Sequence, residues 1–246
     1  MVHNRARPAR ASCASPPEPD SPMKILIFGA TGMIGQGVLR ECLVDPSVQA
    51  VAAVGRALSG RLHPKLSEIL HDDFTDFAPI ESRLAGFDAC FFCLGVSSAR
   101  LTEEQYARIT YDITLRAAET LARLDPSMAF IYISGQGADG TERGRAMWAR
   151  VKGRTENALL RLPFKTVCNF RPGIVEPRFG ARSRTGWYRT LYAYARPLLP
   201  LLRRTFPNQI LATDEIGRAM ILVAGHGAPK PILESRDIRA LLNQHK

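Results

Sequence analysis

The sequence is short of acid. Against 33 Lys and Arg stand 23 Asp and Glu, leaving a formal net charge of +10. A basic balance bears on partners rather than on fold. It suits phosphorylated cofactors, anionic substrates, anionic lipid or nucleic acid, and equally a solvated arginine-rich surface. Cysteine is scarce as well. The five cysteines (Cys13, Cys42, Cys90, Cys93 and Cys168) are odd in number within 246 residues, which argues against a disulfide framework. Cys90 and Cys93 form a C-x-x-C pair, but the surrounding FDACFFCLG reads as a strand. Residues three apart on a strand point to opposite faces, so the pair is read as small core residues rather than a redox or zinc site. The five histidines are scattered without ligand spacing, and no metal is expected. No apolar run reaches the length of a membrane span, and no fixed-period repeat is present.

What remains is an ordinary globular balance, 46% hydrophobic and 23% charged. That suffices for one large core, and residues 23–246 are expected to form a single domain. Residues 1–22 are rich in Arg, Pro, Ala and Ser and hold no apolar core, which argues against a secretory signal. The arginines suit an organelle transit peptide, but Glu18 and Asp20 weaken that reading. The segment is read as a disordered extension, with Met23 opening the fold, and a cytoplasmic location is expected.

Short apolar strands alternate with helical patterns. KILIF at 24–28, QAVAAV at 49–54, SEILHDD at 67–73, DACFFCL at 88–94, AFIYIS at 129–134 and KTVCNF at 165–170 read as strands. A helix over 33–44 shows Val38, Leu39, Cys42 and Leu43 on one face. Thr102 and Gln105 have capping-box spacing and open a helix with Tyr106, Ile109, Ile113, Ala117, Leu121 and Leu124 on one face. A Gly-rich loop at 134–144 leads to a helix from about Arg145 to Leu160, and Thr213 opens a late helix with Asp214 and Glu215 in its first turn. Continuous apolar strands between helices indicate an α/β, doubly wound parallel sheet of Rossmann type with a modified C-terminal segment from about 174.

The strongest motif is the block from Ile27 to Gly35, with glycines at 29, 32 and 35 between a strand and a helix. Gly29 permits the tight turn, Gly32 lets a pyrophosphate approach the backbone, and Gly35 allows close helix-sheet packing. Amides at the helix start, from Thr31 through Gly32 and Met33 to Ile34, then bind the phosphates. A ribose-reading group is due ~20 residues further on. Gly55-Arg56 stands there, with no acid. A guanidinium can hold a 2′-phosphate bidentately, so NADP(H) is favoured over NAD(H), with Arg40 as a lesser second contact.

GATGMIG resembles the short-chain dehydrogenase/reductase superfamily in its extended and atypical branches, over about Lys24 to Gly173. The resemblance implies that Asp73-Phe74 receives the adenine ring and that Leu94-Gly95 lies beside the cofactor ribose. It also implies a Ser at the end of the fifth strand and a Tyr-x-x-x-Lys on the next helix. Ser134 matches the former, there to orient a carbonyl or hydroxyl. Lys152 matches the lysine, which fixes the nicotinamide ribose. The tyrosine position holds Trp148, four residues earlier on the same helix face. Indole N–H donates a hydrogen bond but does not titrate usefully, so the usual general acid is missing. Ser134, a water held by Lys152 or a substrate group are replacements, with Asp139 and Glu142 weaker ones. VKGRTEN and FRPGIV narrow the resemblance to the atypical group that contains the oxidoreductase-like tumour-suppressor proteins and NmrA-like redox sensors, whose bacterial relatives are labelled epimerases. Pro172-Gly173 is then placed near the nicotinamide carboxamide.

From Arg178 to Arg204 there are seven arginines and no acid, with Phe179, Trp187, Tyr188, Tyr192 and Tyr194 among them. The stretch suits a core helix with a solvated arginine edge, a pocket for an anionic or acyl substrate, or a lipid-facing surface. Pro197 and Pro200 interrupt any long helix and weaken the last. No nucleic-acid module is recognised. The expected function is that of an NADP(H)-dependent oxidoreductase acting on a small molecule. The alternatives are a non-catalytic NADP(H) sensor that regulates a partner, or a scaffold at a membrane surface.

Overall fold

The computed structural model describes residues 22–181 and 209–245. Residues 1–21 of the expected extension and most of the arginine-rich stretch, from 182 to 204, lie outside the described residues. Nine strands are present among the described residues: β1 (Met23–Phe28), β2 (Val48–Gly55), β3 (Leu66–Leu70), β4 (Ala89–Phe92), β5 (Ala129–Ile133), β6 (Thr166–Arg171), β7 (Ile174–Glu176), β8 (Ile210–Ala212) and β9 (Ile232–Glu234). Seven of them form one parallel sheet in the order β3-β2-β1-β4-β5-β6-β9. The order reverses direction at β1, so β1 and β4 flank the crevice where open α/β sheets bind ligands.

The α-helices among the described residues are α1 (Met33–Val44), α2 (Glu103–Ala107), α3 (Ile113–Leu124), α4 (Met147–Leu159), α5 (Thr213–His226) and α6 (Ser235–Gln244). They close two core layers, one on each face of the sheet. Ile25, Ile27, Phe91 and Ile131 pack with α1 and α5 residues such as Leu39 and Met220. Leu26, Phe28, Phe92, Phe130 and Tyr132 face the other way, toward Phe74, Phe77, Leu121 and Leu159. This alternation along buried strands separates Cys90 from Cys93: the first belongs to one layer, and the second packs on the other. Burial pushes both thiols above the ordinary cysteine range, as befits inert core residues.

The capping box at Thr102 forms in both directions. Gln105 N–H donates to Thr102 Oγ1 at 3.2 Å, and Thr102 N–H donates to Gln105 Oε1 at 3.0 Å. The helix it opens is not continuous α. A π turn at Arg108–Asp112 joins α2 to α3. The extra residue rotates the buried face, bringing Thr110, Thr114, Leu115 and Ala118 inward beside Tyr106 and Leu121. Three further features depart from the sequence reading. β2 runs to β3 through residues 56–65 without a crossover helix. β7 and β8 form a separate parallel pair. β9, only three residues long, extends the sheet beside β6.

Gly153 shows how closely α4 lies on the preceding loop. A Cβ there would fall 1.8 Å from the Asp139 carbonyl oxygen. Gly225, late in α5, has only a flexible Met23 side chain nearby, at 3.8 Å. Gly153→Ala is therefore expected to lower unfolding free energy in denaturant titration by about 1–3 kcal/mol or more. Gly225→Ala is expected to raise it by about 0.5–1 kcal/mol. Equal effects of the two would contradict this packing.

Candidate functional site

The glycine turn has the geometry that its spacing demands. Gly29 has φ +80°, and a Cβ on it would lie 2.7 Å from the Leu94 backbone, so β1 and the end of β4 are pressed together there. A Cβ on Gly35 would fall 2.1 Å from the Gly29 carbonyl oxygen, so α1 starts hard against the turn. Over Gly32 the space is open except for the Gly29 carbonyl oxygen, 3.3 Å from a built Cβ. Gly32 itself is the helix N-cap and offers no side-chain cap. Its own amide is engaged, donating to the Gly29 carbonyl at 3.0 Å, which corrects its expected place among the phosphate donors. The first bond within the helix runs from Gln36 N–H to the Gly32 carbonyl at 2.8 Å. The N–H groups of Met33, Ile34 and Gly35 precede it and have no acceptor within the helix. Of the expected set from Thr31 to Ile34, Met33 and Ile34 are among these three, and Gly35 joins them at the helix end whose dipole favours an anion.

Arg56 lies two residues beyond Val54, the register partner of Phe28. It is exposed, at the same end of the sheet as the turn. Arg40 is elsewhere engaged. Its guanidinium pairs with Glu41 and sits 3.7 Å over the Phe179 ring, which removes it as a second phosphate contact. Asp73 and Phe74 do follow β3, but neither is presented as the sequence suggests. The Asp73 carboxylate accepts from Thr75 N–H at 2.9 Å and from Thr75 Oγ1 at 2.5 Å, bonds that hold its pKa below the usual carboxylate range. Phe74 is buried among Phe28 and Phe77, with centroids 6.4 and 6.0 Å away. Its ring supports the cleft from beneath and offers no free face to an adenine. Leu94 is half-buried and Gly95 exposed, with nothing within 4 Å of a Cβ built on Gly95.

Ser134 continues β5, its N–H donating to the Phe170 carbonyl at 2.8 Å. The residue is 7% exposed, and its hydroxyl has no protein partner among the described residues. Lys152 reaches the same end of β5 from α4, bonding to the residues before Ser134 rather than to its hydroxyl. Its Nζ lies 3.4 Å from the Ile133 carbonyl oxygen and 3.5 Å from the Tyr132 hydroxyl. Burial lowers its pKa to about 8, with Glu156 one turn later acting in the opposite direction. The neighbouring cations of α4 turn away: Arg150 pairs with Glu103, and Arg154 lies 4.0 Å over the Tyr111 ring. Lys152 alone of the three reaches the end of β5. Trp148, half-buried, abuts the loop, with its ring edge 3.3 Å from a Cβ built on Gly137.

Pro172 is buried, and its carbonyl accepts from Gln136 N–H at 3.0 Å. Gly173 N–H donates to Ser235 Oγ at 2.9 Å, so that amide is not open to a carboxamide. Asp139 and Glu142 are structural rather than acidic replacements for the tyrosine. Asp139 accepts from Thr141, Arg143 and Gly144, which keep its pKa low and the group charged. Glu142 accepts from Asn157 Nδ2 at 2.8 Å.

Two groups of the site are not singled out by the sequence reading. Tyr132 lies two residues before Ser134 on the same strand face, a period-2 signal that the sequence does carry. Burial raises its pKa well above the usual phenol value, so it keeps its proton. Glu156, four residues after Lys152, is 1% exposed and bound side-on by Arg171, with Nε to Oε1 at 2.9 Å and Nη2 to Oε2 at 2.5 Å. Arg171 also reaches Glu234 at 3.4 Å.

With this geometry in view, the chain can be set beside known proteins. No family model matches it. It is 27% identical over 199 residues to Protein HTATIP2 of Rattus norvegicus, covering 76% of this chain and 81% of that one. It is 26% identical over 225 residues to Protein FMP52, mitochondrial, of Chaetomium globosum, covering 87% and 94%. Among solved structures it superposes on Bordetella bronchiseptica WbmF, crystallised with NAD+, with a TM-score of 0.64 at 16% identity over 92% of this chain and 78% of that one. It also superposes on Helicobacter pylori ADP-L-glycero-D-manno-heptose-6-epimerase, with a TM-score of 0.62 at 17% identity over 91% and 82%.

The fold is that of an atypical short-chain dehydrogenase/reductase. The comparisons correct one expectation. The cytoplasmic location rests on the lack of a leader signal, and several FMP52 relatives are named as mitochondrial proteins, which overturns it.

The Glu156–Arg171 pair gives a direct test of the site's scaffold. Removing one partner of a buried ion pair strands the other charge, at about 3–5 kcal/mol. Glu156→Ala is expected to lose about that much stability in denaturant titration, whereas Lys152→Met, which removes an unfavourably buried ammonium, is expected to raise the melting temperature at pH 7. A stable Glu156→Ala would contradict the arrangement.

Proposed function

We propose that this atypical short-chain dehydrogenase/reductase binds NADP(H) and transfers hydride between it and a carbonyl or alcohol on a small molecule. The observation that carries the reading is the start of α1. Three amides without helical acceptors face a space left open over Gly32, at the switch point of a parallel sheet. That combination of free N–H groups, helix dipole and missing side chain fits a diphosphate. WbmF, which shares the fold and was crystallised in complex with NAD+, supports it.

In this reading Met33, Ile34 and Gly35 hold the diphosphate from their amides. Arg56, exposed beside the turn and without an acidic partner among the described residues, takes the 2′-phosphate and sets the preference for NADP(H). Lys152 fixes the nicotinamide ribose, Ser134 orients the substrate oxygen, and Trp148 with Gly137 walls the cleft. The bound nicotinamide supplies or accepts the hydride. A second reading, a sensor of the NADPH/NADP balance, is favoured by one feature alone: an indole stands where the family phenol belongs, and the nearby phenol of Tyr132 is buried.

The test is a titration with NADPH and with NADH, followed by nicotinamide fluorescence. Charge-assisted hydrogen bonds contribute about 1.5–3 kcal/mol each, so NADPH is expected to bind wild type at least about tenfold more tightly than NADH. Arg56→Glu is expected to abolish that difference while leaving NADH affinity within a few-fold. Equal affinities in wild type would remove the role given to Arg56. Failure to bind either dinucleotide would remove the whole reading.

A further inference from the structure

We propose that His71 reads the base of the bound NADP(H), its Nδ1 accepting a hydrogen bond from the exocyclic amine of adenine. The inference rests on the NADP(H) reading above and goes beyond it by assigning the adenine end of the cofactor, which the buried ring of Phe74 does not receive.

Strand register places His71 at that end. Phe28, Val54 and Ile69 stand level across β1, β2 and β3. Gly29, Gly55 and Leu70 form the next row, and His71 stands one residue beyond it, on the rim of the sheet. The His71 N–H donates to the Gly55 carbonyl at 3.0 Å, which ties the histidine to the residue before Arg56. Neighbouring strands lie about 4.8 Å apart, so His71 is about 10 Å across the sheet from the glycine turn. With the diphosphate on α1 and the 2′-phosphate on Arg56, the adenosine runs from β1 over β2, and its base arrives at β3.

The imidazole is held so that one nitrogen is left over. Nε2 lies 2.8 Å from the Asp76 carbonyl oxygen. A carbonyl only accepts, so Nε2 carries the hydrogen, and the neutral ring keeps its lone pair on Nδ1. Nδ1 has no hydrogen-bond partner among the described residues. Phe77 packs 5.5 Å from the ring at 34°, and Phe74 meets it edge-on at 5.9 Å, so the imidazole is fixed in orientation by packing as well as by Asp76. The residue is half-buried: the phenylalanines cover part of it and the rest is open.

That leaves a fixed, neutral acceptor beside the cofactor end of β2. Adenine presents an amine at C6, a donor that matches it. Hypoxanthine presents a carbonyl oxygen at the same position, which would set one acceptor against another. A site that holds a hydrogen-bonding group in place discriminates against a ligand unable to pair with it. Asp73, exposed two residues further on, is the rival acceptor, and its Oδ1 is already bonded twice by Thr75.

The experiment compares calorimetric affinities for NADP+ and for its hypoxanthine analogue at about pH 8, where an unperturbed imidazole is neutral. Wild type is expected to bind NADP+ about tenfold or more tightly than the analogue. His71→Phe keeps a ring to pack on Phe74 and Phe77 but removes the acceptor, and is expected to bring the two affinities within a few-fold of each other. Asp73→Asn is expected to keep the wild-type ratio. On wild type, the 15N resonance of His71 Nδ1 is expected to move on addition of NADP+ and to stay with the analogue. Equal affinities in wild type overturn the proposal, as does a ratio that survives His71→Phe or disappears in Asp73→Asn. An Nδ1 resonance unmoved at saturating NADP+ overturns it too. A wild type that binds neither dinucleotide removes the cofactor reading, and this proposal with it.

Discussion

A Cβ on Gly35 would lie 2.1 Å from the carbonyl oxygen of Gly29, and the rest of the structure depends on that approach. It lets α1 begin within one turn of the end of β1, with no side chain between helix and sheet. Because Gly32 caps the helix without a side-chain oxygen, the first amides are not used up locally. A serine or aspartate cap would satisfy one of them and weaken the site for a ligand. The helix start thus gives up some stability to keep its donors open. The parallel order around β1 then aims those donors into the crevice formed with β4.

The second half of the site is held differently. There a lysine is desolvated by burial beside the phenol of a buried tyrosine, and the nearby Glu156 carboxylate, itself bound to an arginine, opposes that effect. A buried ion pair is weak evidence for net stability, since its desolvation offsets most of its attraction. Its value here is positional: the Arg171 side chain crosses from β6 to α4 and to Glu234 at the end of β9, fixing the helix that carries Lys152 and Trp148. The close fit of Gly153 on the Asp139 carbonyl fixes the same helix from the loop side.

Much of this is legible in the sequence because it is local. The strand before Gly29, the glycine spacing, the capping box at Thr102 and the apolar strands are all patterns within a few residues, and each appears where expected. What is not legible depends on distant neighbours. β9 is a three-residue strand that exists because β6 has an open edge. The π turn shifts a helix face that simple periodicity would have kept straight. The position of Phe74 suits a ligand, but the rings of Phe28 and Phe77 across the core claim it first. Arg40 is lost in the same way, to Glu41 and a ring more than a hundred residues later in the chain. Spacing alone does not say which N–H the turn itself consumes, so the Gly32 amide reads as a free donor until its bond to Gly29 is seen.

The central claim is that amides at one helix start hold a diphosphate. Backbone 15N–1H spectra recorded during addition of NADP+ test it most directly. The account predicts large shifts at Met33, Ile34 and Gly35, with Gly32, already bonded to Gly29, moving less. Saturable binding that leaves those three amides unmoved would contradict it.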